Sequence, residues 1–497
     1  MFKAEDTKVE TNNLSKDYMK YLLLFVGLLL VSFLRIYNIN YDQYWWDEII
    51  AFYTADPSLS FFDTITRNFE LELSPPTYNL ILKFFLNIFG YHTFIGRYIS
   101  AIFGILTCLL VAFTIYDLTQ KNFKFLLFGL FLSGLNVSLI STSQELRNYS
   151  MLIFFVVLSI YLFNKILSEQ TLYKKNFILF LFSASTIITV LIQPFAISIL
   201  AAFSLYSLVF TINEKKVLNP FVLSVISITI ILMIYYFVIY INQINLDLIP
   251  DNLGDKVNLK FFLNFYFSKY FGSRLMGIVH LLILICLIII NRKLFLNFTN
   301  FIFYLFIIIL ITYLVPTIYE FLFRPILLVR YVLFTLPIII ILISALIYKL
   351  NSKRLKNFLI SLLLISTLTN SFTESTFKQF YSIRPVFKPD FFSAFKTIEN
   401  IFTVKVEKVE YQISKDGILV PRIYFEPINY KGDILRKATG FNARFIKDNG
   451  IGPGAMIKII RAGEIIPKVE EVIKKVDPFL PTDLEYKWND SKVDIIL

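Results

Sequence analysis

The chain has 497 residues, of which 56% are hydrophobic and 54 are phenylalanine, with a mean hydropathy of +0.65 and a formal net charge of +12. This hydropathy exceeds what a soluble domain needs for its core, so the composition excludes an ordinary soluble protein and predicts a polytopic membrane protein. The two cysteines lie in apolar runs and there are only two histidines, which excludes a disulfide framework and argues against a histidine-based zinc site.

Eleven segments are long and apolar enough to cross a bilayer as helices. They cover residues 21–36, 97–116, 124–142, 149–166, 177–193, 195–212, 220–242, 274–290, 299–318, 330–348 and 357–373. A twelfth stretch, 75–90, begins with two prolines and contains Lys83, so both a span and an interfacial helix stay open for it. The sequence therefore predicts a polytopic α-helical membrane protein with about 11–12 spans.

Basic residues between the spans indicate the topology. If 75–90 lies in the outer interface, the basic loops share one face with the lysines of the N-terminal segment 1–20, and the positive-inside rule makes that face cytoplasmic. The loop residues are Lys121, Lys124, Lys174, Lys175, Lys215, Lys216, Arg292, Lys293, Lys353, Arg354 and Lys356. We therefore predict an integral protein of the inner or plasma membrane with a cytoplasmic N-terminus and 75–90 in the interface.

With this topology, short polar segments rich in acids and arginines gather at the outer face: "YWWDE" (44–48), "ELELSPP" (70–76), "SQELRNY" (143–149) and "FRPILLVRY" (323–331). Ionisable groups at a membrane boundary are costly unless they are paired or functional. Arginine binds phosphate oxygens with a planar fork, and a carboxylate can act as general base or as a metal ligand. Together they predict transfer of a sugar from a polyprenyl phosphate.

The order of "WWDE", "ELSPPTYNLILKFFLNIFG" followed by "GRYISAIFG", "SQELRNYSML" and "RYVLFTLPI" resembles the membrane glycosyltransferases of the GT-C fold. The similarity covers about residues 15–375 and is to the protein mannosyltransferase and aminoarabinose transferase type. It implies a lipid-linked sugar donor, a lipid or protein hydroxyl as acceptor, inversion at the anomeric carbon and an active site on the outer face.

The resemblance also implies roles for single residues. Asp47 matches the catalytic base, with Glu48 supporting it or fixing the loop, and Glu72 matches a second carboxylate near the sugar or a metal. The matched substrate-binding positions are Arg97, Glu145, Arg147, Tyr149, Arg330 and Tyr331, with Arg324 as a second arginine. A divalent metal at Asp47 and Glu72 stays open.

Structural roles compete with these assignments. Asp47 and Glu48 also suit interfacial acids that follow a span, Arg147 suits a loop brace paired with Glu145, and Arg330 suits a side chain that snorkels from a helix end.

The composition changes after Thr373, where apolar runs stop and lysine, glutamate, glycine and proline become frequent. We predict a membrane domain over 21–373, a linker over 374–403 and a tail domain over 404–497. In the tail, short alternating segments such as "GILVPRIYFEP" and "AMIKIIRAGEIIP" are separated by "KDG", "NYKGD", "DNG" and "GPG". These turn signals predict a small all-β barrel.

The tail phrases "ISKDGILVPRIYFEPI", "RKATGFNARFI", "IGPGAMIKIIRAGEIIP" and "YKWNDSKVDI" closely resemble the oligonucleotide-binding (OB) barrel of NAD-dependent DNA ligases over about 404–497. The resemblance implies contact with the DNA backbone, for which the candidate positions are Arg436, Asn442, Arg444 and Arg461. Ordinary surface placement of these side chains is the alternative.

Ligation itself is not expected from this truncated ligase-like domain. The ligase nucleophile is a lysine in KxDG, whereas Lys415, Asp416 and Gly417 form KDG without the intervening residue, and the sequence shows no NAD site. Eleven spans place the tail outside and twelve place it inside. The alternatives are a DNA-binding ligase fragment on a membrane anchor, a join of two partial genes, a carbohydrate-binding barrel and a transporter.

Overall fold

In the computed structural model the chain divides into two compact units, Met1–Lys388 and Pro389–Leu497. The structure describes residues 2–40, 44–72, 74–168, 171–214, 228, 230–232, 234–235, 270–271, 273–296, 300–322, 327–371, 401–430, 433–460 and 467–497. The predicted span 220–242 and linker 374–403 lie largely outside these residues, and Arg324 and Arg461 lie outside them entirely.

The first unit is helical throughout its described part. Its helices are α1 Phe2–Ile36, α2 Trp46–Thr54, α3 Phe61–Leu71, α4 Thr77–Phe89, α5 Thr93–Leu118, α6 Phe123–Gly134, α7 Val137–Ser143, α8 Tyr149–Ser168, α9 Leu172–Ile192, α10 Ile197–Glu214, α11 Arg274–Ile290, α12 Arg292–Phe295, α13 Phe301–Leu322, α14 Val329–Val332, α15 Thr335–Lys349 and α16 Lys353–Ser371.

Five of the described helical segments are long and apolar enough to cross a membrane: Tyr18–Ile36, α5, α8, Tyr173–Ile192 and α13. A sixth exists if α6 and α7 count as one span, although they meet at a bend of 63°. Other apolar helices in the described part, including α4, α11 and α15, are shorter. These helices make the chain an integral membrane protein.

Helices α5 and α15 form the centre of this unit. Helix α5 packs against α1, α6, α7 and α8, and α15 packs against α5, α6, α11 and α13. Every residue of α15 from Thr335 to Ile347 is buried, so this helix is apolar on all sides, as a helix surrounded by other helices has to be.

A buried arginine lies at the bend between α6 and α7. Arg35 is completely buried, and its guanidinium donates hydrogen bonds to the carbonyl oxygens of Gly134 at 3.0 Å and Ser133 at 3.3 Å. These are the last residues of α6, whose free carbonyls carry partial negative charge. The side chain of Asn136 accepts a hydrogen bond from the Leu139 N–H and begins α7. Segment 124–142, predicted as one continuous span, is thus a broken helix with both ends satisfied.

The second unit is a small barrel. Its strands are β1 Ile401–Ile413, β2 Leu419–Tyr430, β3 Asp433–Thr439, β4 Met456–Ile460 and β5 Lys468–Lys474, with helix α17 Ala443–Asn449 between β3 and β4. The strands close in the order β1-β2-β3-β5-β4, with β1 also paired to β4, and only the β3–β5 pair is parallel. A two-stranded sheet, β6 Lys487–Trp488 and β7 Ile495–Ile496, follows. The predicted all-β barrel is confirmed.

Alternation along the strands fills the barrel. Val404, Val406, Ile423, Phe425 and Ile457 are buried in one apolar cluster, whereas their strand neighbours face outward. The first hairpin closes at Gly417, whose φ of +74° requires a residue without a Cβ.

Candidate active site

Three carboxylates from the predicted outer segments each pair with one arginine. Glu48 pairs with Arg97, Glu72 with Arg147, and Asp47 with Arg330. The partners of each pair are separated by between 49 and 283 residues in the chain. The fold therefore brings six of the candidate residues into ion pairs, and the three pairs differ strongly in burial.

The Glu48–Arg97 pair is the most deeply buried. Glu48 is completely buried and Arg97 is 3% exposed, and two hydrogen bonds of 2.8 and 2.7 Å join the carboxylate to the guanidinium. The carboxylate also accepts hydrogen bonds from the backbone N–H groups of Leu146 at 2.8 Å and Trp45 at 3.3 Å. Arg97 donates further to the Ile39 carbonyl at 3.1 Å. Glu48 thus ties α2 to α5 and to the α7–α8 connection.

The Glu72–Arg147 pair is intermediate in burial between the other two pairs, with each side chain 11% exposed. Arg147 donates to one oxygen of Glu72 at 2.5 Å and to the other at 3.4 Å, and it also donates to the backbone carbonyl of Asp47 at 3.0 Å. Burial lowers the pKa of Arg147, but attraction to Glu72, Tyr149 and Asp47 outweighs this and raises the pKa above its ordinary value. The cation is therefore fixed in its charged form.

The Asp47–Arg330 pair is the accessible one. A single hydrogen bond of 3.2 Å joins Arg330 to Asp47, and the two side chains are 43% and 22% exposed. The guanidinium lies 5.7 Å from the ring centre of Tyr331, which in turn packs against Phe195 at 5.3 Å. This pair combines a carboxylate and an arginine that an incoming molecule can reach.

Local sequence explains how the acids are presented. Asp47 and Glu48 stand in the first turn of α2, where the helix dipole favours negative charge. Glu72 ends α3, and the chain after it is held by Asn68, which donates to the Ser74 carbonyl at 2.8 Å and accepts from Asn79 at 2.7 Å. The two prolines follow this turn and precede α4, where a missing N–H costs nothing.

The remaining predicted residues each stand within two residues of a paired arginine in the chain. Glu145 is half-buried in the α7–α8 connection, and its backbone carbonyl accepts from the Arg147 N–H at 2.9 Å. Tyr149 is buried at the start of α8, and Tyr331 is half-buried on α14. The Arg147 guanidinium pairs with Glu72.

Two amides of this connection were not predicted. Gln144 is buried and donates to the carbonyls of Leu34, Arg35 and Tyr37, which end α1, at 3.2–3.3 Å. Asn148 is buried and donates to the carbonyl of Ile192 at the end of α9. The available signal was their place in "SQELRNY", since a buried amide has to find partners and helix ends offer free carbonyls.

A divalent metal at Asp47 and Glu72 would depend on the side chains that surround these two acids. Within the described ranges, no three His, Cys, Asp or Glu side chains come together as a metal site. Both oxygens of Glu72 face Arg147, and Asp47 faces Arg330, so a cation between the two acids would lie beside two guanidinium groups. This arrangement does not fit a divalent cation, and we assign no chemical step to one.

In the barrel, the candidate DNA-contacting positions differ in exposure and in hydrogen bonding. Arg436 is exposed on β3, and Arg444 is exposed on α17, where it pairs with Asp448 at 3.3 Å. The Asn442 side chain accepts from the Phe445 N–H at 2.8 Å and caps α17, so its amide oxygen already has a structural task. Both arginine side chains are exposed to solvent.

The tail matches known proteins at the sequence level. Residues 403–478 match the family model described as the NAD-dependent DNA ligase OB-fold domain. The chain is 42% identical over 110 residues to a DNA ligase of Acanthamoeba polyphaga mimivirus and 39% identical over 88 residues to one of Shewanella baltica. These matches cover 22% and 18% of this chain but only 17% and 14% of the ligases. The predicted ligase-like OB domain is confirmed.

Solved structures resemble the larger part of the chain. ArnT from Cupriavidus metallidurans in the apo state covers 71% of this chain and 63% of its own, with a TM-score of 0.48 and 12% identity. The Archaeoglobus fulgidus oligosaccharyltransferase with a tethered acceptor peptide covers 75% of this chain and 56% of its own, with a TM-score of 0.47 and 12% identity. An activity for this chain therefore has to rest on its own residues and their geometry.

Proposed function

We propose that the helical unit is a membrane glycosyltransferase that moves a sugar from a polyprenyl-phosphate donor to a hydroxyl of a lipid or protein acceptor. The observation that carries the proposal is the Asp47–Arg330 pair. It is an accessible carboxylate beside an accessible guanidinium, whereas the other two acid–arginine pairs are less exposed and bind the backbone.

Sugar transfer needs both a carboxylate, as base, and a guanidinium, to bind the phosphate. In the transfer, the acceptor oxygen attacks the anomeric carbon while its proton passes to the Asp47 carboxylate. The bond between the anomeric carbon and the phosphate oxygen breaks, and the phosphate leaves with the electron pair. Attack opposite the leaving group inverts the anomeric carbon. Arg330 offsets the charge that accumulates on the phosphate, which is the charge that the site has to stabilise.

The buried pairs act through Asp47 in this proposal. Glu48 and Arg97 fix the start of α2, and Arg147, oriented by Glu72, holds the Asp47 backbone carbonyl. They are positioning residues. Tyr331 follows Arg330 in the chain, and Glu145 and Tyr149 stand two residues on either side of Arg147. These three residues are proposed to contact substrate.

An outer-face location is supported by the geometry of α5. Arg97 lies near the start of this helix and Lys121 just past its last residue, Leu118. At a rise of 1.5 Å per residue, the 21 residue steps from Arg97 to Leu118 span about 32 Å. This distance matches a membrane thickness. The basic residues around Lys121 and the acid–arginine pairs thus lie at opposite ends of a spanning helix, as expected for a cytoplasmic and an outer face.

Helix α4 agrees with this arrangement. Its 13 residues span about 20 Å, which is less than the hydrocarbon core of a bilayer. Leu82 and Leu86 are buried, whereas Phe84, Ile88 and Phe89 are exposed. We propose that α4 lies in the outer interface with this exposed face toward lipid.

Transfer of radiolabelled sugar from a polyprenyl-phosphate donor in membranes tests the activity. Asp47→Asn should reduce transfer by about 10²–10⁴-fold, the usual contribution of a general base. Glu70→Gln is the matched control because Glu70 is exposed on the same segment as Glu72 and belongs to no ion pair described above. Wild-type transfer by both Asp47→Asn and Glu72→Gln would refute the assignment.

Labelling of a cysteine tests the side of the membrane. In a Cys286→Ser background, which removes the exposed native thiol, Glu70→Cys should react with a membrane-impermeant maleimide in intact cells. A cysteine in place of Lys121 should react only after the cells are opened. The reverse pattern would place the acid–arginine pairs inside.

For the barrel, we propose a duplex-DNA-binding role, supported by its sequence match to ligase OB domains and by the exposed Arg436 and Arg444. The purified full chain should then bind duplex DNA with an affinity that falls steeply with salt. Arg436→Gln should reduce the slope of log K against log salt by about 1. Unchanged binding in the double variant with Arg444→Gln would contradict this role.

A further inference from the structure

We propose that Arg330 exchanges partners: it holds Asp47 until the phosphate of the donor binds, and then releases it. Donor binding would then free the base, so that the carboxylate becomes available to an acceptor only when a sugar donor is in place. This inference rests on the proposed glycosyltransferase function and adds an order of events to it.

The contrast among the three ion pairs is the first argument. Glu48 receives four hydrogen bonds in a fully buried setting, and Glu72 uses both oxygens to bind Arg147. Neither can leave its partner without separating two charges that are held away from water, which is strongly unfavourable. Asp47 has one 3.2 Å contact to an arginine that is 43% exposed, so this pair alone can separate at low cost.

The second argument concerns what replaces Asp47. A phosphate offers several oxygens to the guanidinium fork, and two parallel hydrogen bonds are stronger than the single contact that Asp47 makes. Arg330 is accessible, and the Tyr331 ring lies beside it at 5.7 Å. A phosphate therefore competes well for Arg330, and the side chain of Asp47 loses its only ion-pair partner among the described residues.

The third argument is that Asp47 stays in place after release. Its backbone carbonyl accepts a hydrogen bond from Arg147 at 3.0 Å, and its neighbour Glu48 is locked to Arg97. The main chain is therefore fixed at both residues, and only the short Asp47 side chain has to turn. The carboxylate oxygen that accepts the hydrogen bond from Arg330 then becomes available to the proton of an incoming hydroxyl.

The exchange predicts an unusual effect on affinity, because Asp47 competes with the phosphate for Arg330. The probe is farnesyl phosphate binding to the purified full-length protein in lipid nanodiscs, with neutral farnesol as the phosphate-free reference. Asp47→Asn should lower the Kd for farnesyl phosphate by about threefold to fivefold, the range of a partly exposed ion pair. Arg330→Gln should raise it by about tenfold, as expected for the loss of a charge-assisted contact.

The double variant separates exchange from general charge effects. In an Arg330→Gln background, Asp47→Asn should change the Kd by less than about 1.5-fold, since the competition is gone. Arg330→Lys serves as the second variant: it keeps the charge and therefore the gain from Asp47→Asn, while losing the bidentate geometry. Glu70→Gln removes one negative charge elsewhere and should leave the Kd unchanged.

Three outcomes would overturn the partner exchange. A gain from Asp47→Asn that persists in the Arg330→Gln background, or that Glu70→Gln reproduces, would show a long-range charge effect and overturn the exchange. An unchanged or weaker affinity of Asp47→Asn would do the same while leaving the glycosyltransferase proposal intact. Equal binding of farnesyl phosphate and farnesol to the wild type would overturn both.

Discussion

The adjacent acids Asp47 and Glu48 should respond differently when the carboxylate is replaced by an amide. Glu48→Gln removes the carboxylate that pairs with the buried Arg97 guanidinium, which is 3% exposed. Breaking one side of a buried pair costs about 3–5 kcal/mol. Asp47→Asn breaks a pair whose side chains are 43% and 22% exposed, so its cost is at most about 1 kcal/mol. We expect the first variant to lose stability and the second to lose sugar transfer.

The free energy of unfolding is measured by SDS titration of the purified protein in mixed micelles, alongside transfer of radiolabelled sugar. Glu48→Gln should unfold more easily than Asp47→Asn by about 2–4 kcal/mol. The double variant Glu48→Gln/Arg97→Gln should cost less than the sum of the two single changes, because it removes both charges of the pair together. If the Glu48 and Asp47 variants are equally stable, the division into a structural and a catalytic acid is wrong.

Three further predictions follow from other contacts. Arg147→Lys should lower kcat for sugar transfer by about tenfold to a hundredfold with a small change in KM, because lysine lacks the fork that holds the backbone of the proposed base; an unchanged kcat would contradict this. Gly104→Ala should destabilise the helical unit by about 1–3 kcal/mol in the same SDS titration, because the added Cβ would lie 2.0 Å from the Ser143 hydroxyl oxygen; a wild-type midpoint would refute it. In the barrel, Ile457→Ala should cost about 2–5 kcal/mol because Ile457 is completely buried, whereas Ile434→Ala, at a residue 58% exposed, should stay within about 0.5 kcal/mol; hydrogen exchange of tail peptides should show faster opening only in the first.

The candidate acids and arginines could be named from the sequence, but their pairing could not. Charge type and position relative to apolar segments indicate that Glu48, Glu72, Arg97 and Arg147 lie near one membrane boundary. Which acid meets which arginine depends on how α2, α5 and the α7–α8 connection pack. Glu145 stands two residues from Arg147 in the chain, yet Glu72, 75 residues away, supplies the partner.

The break between α6 and α7 could also not be predicted from the sequence. Residues 124–142 contain neither proline nor a run of polar residues, so hydropathy reads them as one span. The bend after Gly134 depends on Arg35, a residue of another helix that satisfies the carbonyls at the end of α6. Long-range capping of this kind leaves no local pattern. The barrel was more predictable, because strand alternation and glycine-marked turns are local properties.

The KDG triplet of the tail shows how local structure separates a motif from a resemblance. Lys415, Asp416 and Gly417 form the turn between β1 and β2, where the Gly417 N–H donates to Ser414 and the Ser414 N–H donates to Ile418. Gly417 is required by its φ of +74°, so the turn explains the glycine without any catalytic role. Lys415 is exposed on this hairpin. The sequence match to the ligase domain thus extends to the barrel, while its binding to DNA is a proposal, as is the placement of the chain's chemistry at the carboxylate at the start of α2.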